Sequence, residues 1–151
     1  VTLSRVLGLG ALLCSLLPSR AALADEPKVE VDTEIVLASN EGEGVEPASL
    51  APMKDKFLKE GFAFTSFKQL KQQKLVLVRN HPADVKLPNN QVATLKLEEV
   101  VSGAAKVHVR LAPIDTTYTV GREGSVFIDG GHHLKGTLIF VLSPADAARH
   151  K

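Results

Sequence analysis

The chain has 151 residues, 18 basic and 17 acidic, for a formal net charge of +1. That length suits one domain, and the near-neutral balance gives no electrostatic basis for binding nucleic acid or an anionic membrane. A single cysteine excludes an intramolecular disulfide.

The chain opens with Arg5 as a thin basic lead and Val6–Leu17 as an apolar run too short to span a bilayer. Pro18-Ser19-Arg20 breaks the run, and Ala22-Leu23-Ala24 has the A-x-A form of a cleavage site. This order predicts a secretory signal peptide over residues 1–24. Cys14 follows Leu13, which is too large for a lipobox. The expected mature chain, residues 25–151, is a single β-rich globular domain with a short polar C-terminal tail. Loss of Arg5 and Arg20 from the 18 basic residues leaves 16 against 17 acidic ones, net −1. Cys14 goes with the leader, so the core alone must hold the domain. No N-x-[ST] sequon occurs. The expected location is periplasmic or secreted, after cleavage near Ala24. No later apolar run approaches the ~20 residues of a membrane helix, so no membrane span is expected in the mature chain.

Val29–Ala38 alternates, with Val29, Val31, Thr33, Ile35 and Leu37 on one face, and Val36 joins the other near the end. That is a strand whose far end is buried on both sides. Ser39–Pro47 is a loop with three glutamates. It lacks the D-x-[DN]-x-[DN]-G spacing of a calcium loop. Ser49 is the expected cap of the one amphipathic helix, whose face carries Leu50, Met53, Phe57 and Leu58 and which Gly61 ends.

Phe62–Leu70 reads as a phenylalanine-rich strand, Lys71-Gln72-Gln73 as a turn, and Lys74–Arg79 as the next strand. Loops follow at Asn80–Asp84 and Leu87–Asn90. Gln91–Leu111 forms the clearest hairpin. Ala93, Leu95 and Leu97 share one face of its first arm, and Val107, Val109 and Leu111 one face of its second. Ser102-Gly103 is the break. Pro113 is expected to end the pairing. Ile114–Val120, Ser125–Ile128 and the strongly apolar Thr137–Leu142 are three more strands, and Ser143–Lys151 is a polar tail.

About eight strands and one helix near the N-terminus predict a mainly β, sandwich-like fold, the alternative being α+β with the helix packed on one sheet.

Candidate chemistry concentrates in Asp129-Gly-Gly-His132-His133. Histidine and carboxylate suit Zn2+ or Cu2+, and flanking glycines let a loop wrap an ion. A metal site would therefore use Asp129, His132 and His133, with His81 or His108 as the third histidine. The solvated-turn reading stands beside it, because no H-x-x-x-H or C-x-x-C spacing is present. His108, between Lys106 and Arg110, reads as a surface residue. A hydrolase around Asp129 and the histidines ranks last, because no G-x-S-x-G elbow or partner nucleophile is identifiable. Neither a phosphate loop nor a dinucleotide fingerprint is found, so no cofactor is implied beyond the metal. Lys71, Lys74, Arg79, Lys86, Lys96, Lys106 and Arg110 would make one basic face if their strands were neighbours. Glu98 and Glu99 offset them.

The leading expectation is an exported, non-catalytic binding or assembly module. It would act through a protein partner or self-association at an edge strand, with Ser125–Ile128 and Lys74–Arg79 as the candidate edges. A metal-binding or metal-chaperone role is the alternative.

Overall fold

The computed structural model describes residues 26–121 and 124–145. The leader expected over residues 1–24 and the tail beyond Ala145 lie outside them. Among the described residues, nine strands form two antiparallel-dominated sheets. β1 (Lys28–Ser39), β2 (Gly44–Glu46), β3 (Ser66–Val78), β8 (Val126–His133) and β9 (Gly136–Pro144) make a five-stranded sheet, ordered β2-β3-β1-β9-β8. β4 (Ala83–Lys86), β5 (Val92–Val101), β6 (Ala104–Leu111) and β7 (Ile114–Val120) make a four-stranded meander. A short 3-10 turn (Ala48–Leu50) leads into helix α1 (Ala51–Lys59).

Alternation builds the principal core. Ala93, Leu95 and Leu97 from β5, with Val107, Val109 and Leu111 from β6, face Val31, Ile35, Leu77, Leu138 and Phe140 of the larger sheet. This is the face-to-face packing of a sandwich. Ser102 and Gly103 both have positive φ, 52° and 80°, as the two-residue turn of a tight hairpin requires. Pro113 does not end the pairing. It sits in the turn between β6 and β7, and Leu111 pairs directly with Ile114.

A second core lies on the outer face of the larger sheet. Val36 and Ala38, Phe67, and Ile139 and Val141 meet Leu50 and Phe57 there. Phe57 stacks on Phe67 at 5.0 Å between ring centroids and meets Phe127 edge-on at 5.2 Å. The fold is mainly β, with its helix lying on one sheet. That contact explains why the far end of β1 is apolar on both faces. Helix α1 has no side-chain cap at its start, and the Ser49 hydroxyl expected in that role makes none. The preceding 3-10 turn and the proline in the first turn begin the helix instead.

The largest departure from expectation is β3. The expected turn at Lys71–Gln73 is absent, and one strand runs from Ser66 to Val78. The register against β1 shifts between Ile35 and Val36: Ile35 pairs with Lys71 and Val36 with Gln69. Leu70 is thus an extra residue, and one inserted residue flips every side chain beyond it. Phe67 therefore faces the helix, whereas Leu77 faces the sandwich. The polar run after Leu70 marks a change of face within a strand. Phe62 and Phe64 lie before β3 in the connection from the helix. Of the two short strands, β2 lies within the expected Ser39–Pro47 loop, and β4 begins in the expected Asn80–Asp84 loop and runs on to Lys86.

Among the described residues, no helix is long and apolar enough to cross a membrane.

Candidate functional site

The Asp129–His133 segment is strand rather than loop, because the glycines serve pairing. Asp129 pairs with Ile139, and His132 with Thr137, so β8 carries one extra residue between them. Gly131 takes φ +88°, the bulge conformation that favours glycine, and its N–H is held at 2.8 Å by Asp129 Oδ1. A Cβ on Gly130 would lie 2.9 Å from the Leu87 side chain, so glycine also permits close packing of the two sheets. Asn89, in the turn before β5, donates its side-chain amide to the Gly130 carbonyl at 2.9 Å and the His132 carbonyl at 3.2 Å.

His132 is exposed and His133 half-buried. His81 does not join them. It bridges to Val78, which pairs with Lys28, whereas His133 pairs with Gly136, which pairs with Ser39. The two places are therefore at opposite ends of β1, roughly 35 Å apart at ~3.3 Å per strand residue. His81 Nε2 lies 3.3 Å from the Glu26 carboxylate instead. Among the described residues, no group of three or more histidine, cysteine or carboxylate side chains is arranged to hold a metal ion.

His108 belongs to a cross-strand network on the open face of the smaller sheet. Its Nε2 contacts the Asp115 carboxylate, and its Nδ1 lies 3.0 Å from the Thr117 hydroxyl, which donates to Glu98 at 3.2 Å. Arg110 Nε lies 3.5 Å from Asp115, and Lys106 Nζ 3.0 Å from Glu99. Such pairs lace the strands of an open sheet together. Among the described residues, the cations that could have shared one face are divided between the two sheets. Lys96, Lys106 and Arg110 lie on the smaller sheet amid carboxylates, whereas Lys71 and Lys74 belong to the larger one.

The concave feature of interest runs along β8. A cleft of about 460 Å3 is bounded by the strap after the helix, by the outer edge of β8 and by β7 of the other sheet. Gly61, at φ +95°, turns the chain out of the helix, and the Phe62 N–H returns to the Phe57 carbonyl at 2.9 Å. That anchor lays Phe62 and Phe64 against the cleft, opposite Tyr118 and beside Phe127. Glu60 and Asp129 are the carboxylates that line it.

No protein-family model, curated protein or solved structure matches this chain.

Among the described residues, β8 has a neighbouring strand, β9, on one side only. Asn89 takes the Gly130 and His132 carbonyls from the open side. Ala145 donates to the Glu30 carbonyl, so by alternation Leu142 and Phe140 turn to β8 and pair with Val126 and Ile128, and the Phe127 and Asp129 peptide groups point to the open side. The other edge of this sheet is different. Past the three-residue β2, β3 exposes its edge with Lys71 and Lys74 on it, and charged side chains of this kind discourage edge pairing. Ser125–Ile128 thus marks the start of an open edge, as expected. Its aromatic wall was not legible as such: Phe62 and Phe64 read as strand residues, and Glu60 as helix surface. The one signal was three phenylalanines within six residues directly after Gly61.

Proposed function

We propose that this chain is a non-catalytic binding or assembly module that receives an extended segment of a protein partner against β8. The observation that carries this reading is the open edge of β8 over Val126–Asp129, set beside an aromatic cleft. Addition of a strand to an exposed edge draws affinity from backbone hydrogen bonds and selectivity from neighbouring side-chain sites. The Phe127 and Asp129 peptide groups would supply the first, and the cleft the second.

Peptide selection on the purified chain, followed by amide chemical-shift mapping, tests this. Selected peptides should perturb Val126–Asp129 and slow amide exchange at Phe127 and Asp129. Perturbation confined to β3, or to the open face of the smaller sheet, would sink the reading.

The leader sequence supports action after export, in the periplasm. Intact mass measurement of the chain from fractionated bacteria should find it in the periplasm, beginning at Asp25. A full-length mass in the cytoplasm would overturn that part.

A further inference from the structure

We infer that the segment received at β8 carries a lysine or arginine side chain, and that the cleft binds its cationic head between aromatic faces and two carboxylates. The inference rests on the strand-addition reading above and adds the partner's chemistry.

The chain has six phenylalanines, one tyrosine and no tryptophan. Four of those seven aromatic side chains, Phe62, Phe64, Tyr118 and Phe127, line this cleft. All four are partly exposed, whereas Phe57, Phe67 and Phe140 are buried. Aromatic faces are electron-rich and attract ammonium and guanidinium groups. Glu60 and Asp129 add full negative charge, and no cationic side chain lines the cleft among the described residues.

Several carboxylates elsewhere in the chain meet cations. Glu41 meets Lys135 at 2.9 Å, Glu99 meets Lys106 at 3.0 Å, and Asp115 meets Arg110 at 3.5 Å. At the cleft, the lining carboxylates share their space with aromatic rings instead. An anionic segment would be repelled there, and a purely apolar one would leave both carboxylates facing hydrocarbon. A second copy of β8 would bring its own Asp129 and Glu60 against this pair. A strand-borne cation satisfies the open peptide groups, the aromatic faces and the carboxylates together. Long lysine and arginine stems also lie well along aromatic surface while the head reaches a carboxylate.

The test uses three short extended peptides of alternating valine and threonine, with lysine, norleucine or glutamate at the central position. Tyr118, the single tyrosine, reports occupancy by its fluorescence, and amide shifts report β8. The lysine peptide should bind about tenfold more tightly than the norleucine peptide, and the glutamate peptide most weakly. The double variant Glu60→Gln, Asp129→Asn should erase the lysine advantage. The side-chain amide introduced at position 129 keeps an oxygen for the Gly131 N–H, and circular dichroism checks the fold. Phe64→Leu should reduce the advantage independently. Equal binding of the lysine and norleucine peptides, with β8 amides shifted, overturns the cation and leaves strand addition standing. No β8 shift with any peptide overturns both. Binding of tetramethylammonium alone as tight as that of the lysine peptide would assign the cleft to a free organic cation and overturn the peptide-borne form.

Discussion

The Asn89 side-chain amide donates to the Gly130 carbonyl across 2.9 Å, joining the turn before β5 to the bulged edge of the opposite sheet. The same amide reaches the His132 carbonyl, and Asn89 Oδ1 accepts from the Gln91 N–H at 3.2 Å. One side chain thus closes the sandwich at the end where β8 bulges. Asn89→Ala should cost about 1–2 kcal/mol, chiefly because it strips a partner from the carbonyl of buried Gly130. Urea denaturation measures this, and an unchanged midpoint would deny the tie its structural role.

Gly136 makes a sharper demand. A Cβ there would lie 2.2 Å from the Ala38 carbonyl oxygen, in the strand pair at the heart of the larger sheet. The clash is with the Ala38 carbonyl group itself, backbone held in the sheet rather than a side chain that could turn away. Gly136→Ala should cost roughly 3 kcal/mol or more. Gly121→Ala is the control, since a Cβ there meets nothing within 4 Å among the described residues and φ is not positive. Thermal melts of the pair should separate clearly, and equal stabilities would contradict the close approach of β9 to β1.

Glu34 supplies a pH dependence. Burial, and secondarily the neighbouring Asp32 carboxylate, raise its carboxyl above the ordinary range. The folded state then binds this proton more tightly than the unfolded state. The resulting stabilisation is full below the ordinary glutamate range and is lost as pH rises through the raised value. Glu34→Gln should therefore stabilise the chain near neutrality and flatten stability against pH just above the ordinary carboxylate range. Gln72 donates to Glu34 Oε1 at 3.4 Å, a contact that glutamine at this position retains through its own oxygen. Denaturation at stepped pH reads the slope, and a variant with the parental slope would contradict the assignment.

Leu134 breaks two preferences at once. It is 71% exposed, and its φ is +52° at the tip of the β8–β9 hairpin. Left-handed backbone costs an ordinary side chain roughly 1 kcal/mol, and asparagine tolerates it better. Leu134→Asn should raise stability by about 0.5–1 kcal/mol in thermal melts. A loss would show that Leu134 makes packing contacts that its exposure does not indicate.

Periodicity made much of this fold legible. β1, β7, β9 and the β5–β6 hairpin stand where their patterns place them, although β5 carries an extra residue at Glu98 that shifts its register against β6. The helix was legible from Leu50 and Phe57, which point inward. β3 was not, because its alternation is broken by Leu70. Pattern reading treats a phase change and a chain reversal alike, and only pairing with β1 distinguishes them. The histidine pair reads as a loop for a similar reason, since glycines that admit a bulge resemble glycines that make a turn. The cleft depends on bringing residue 62 beside residues 118 and 127, a tertiary fact that no local spacing encodes.

β1 is the wall common to both cores, with Val31 and Ile35 turned to the sandwich and Val36 and Ala38 turned to the helix. If the helix lifts away, the smaller sheet still grips this strand. If the smaller sheet loosens, the helix still covers it. Its amides open to solvent only when both layers are lost, which makes β1 the slowest-exchanging segment and its protection the measure of global stability.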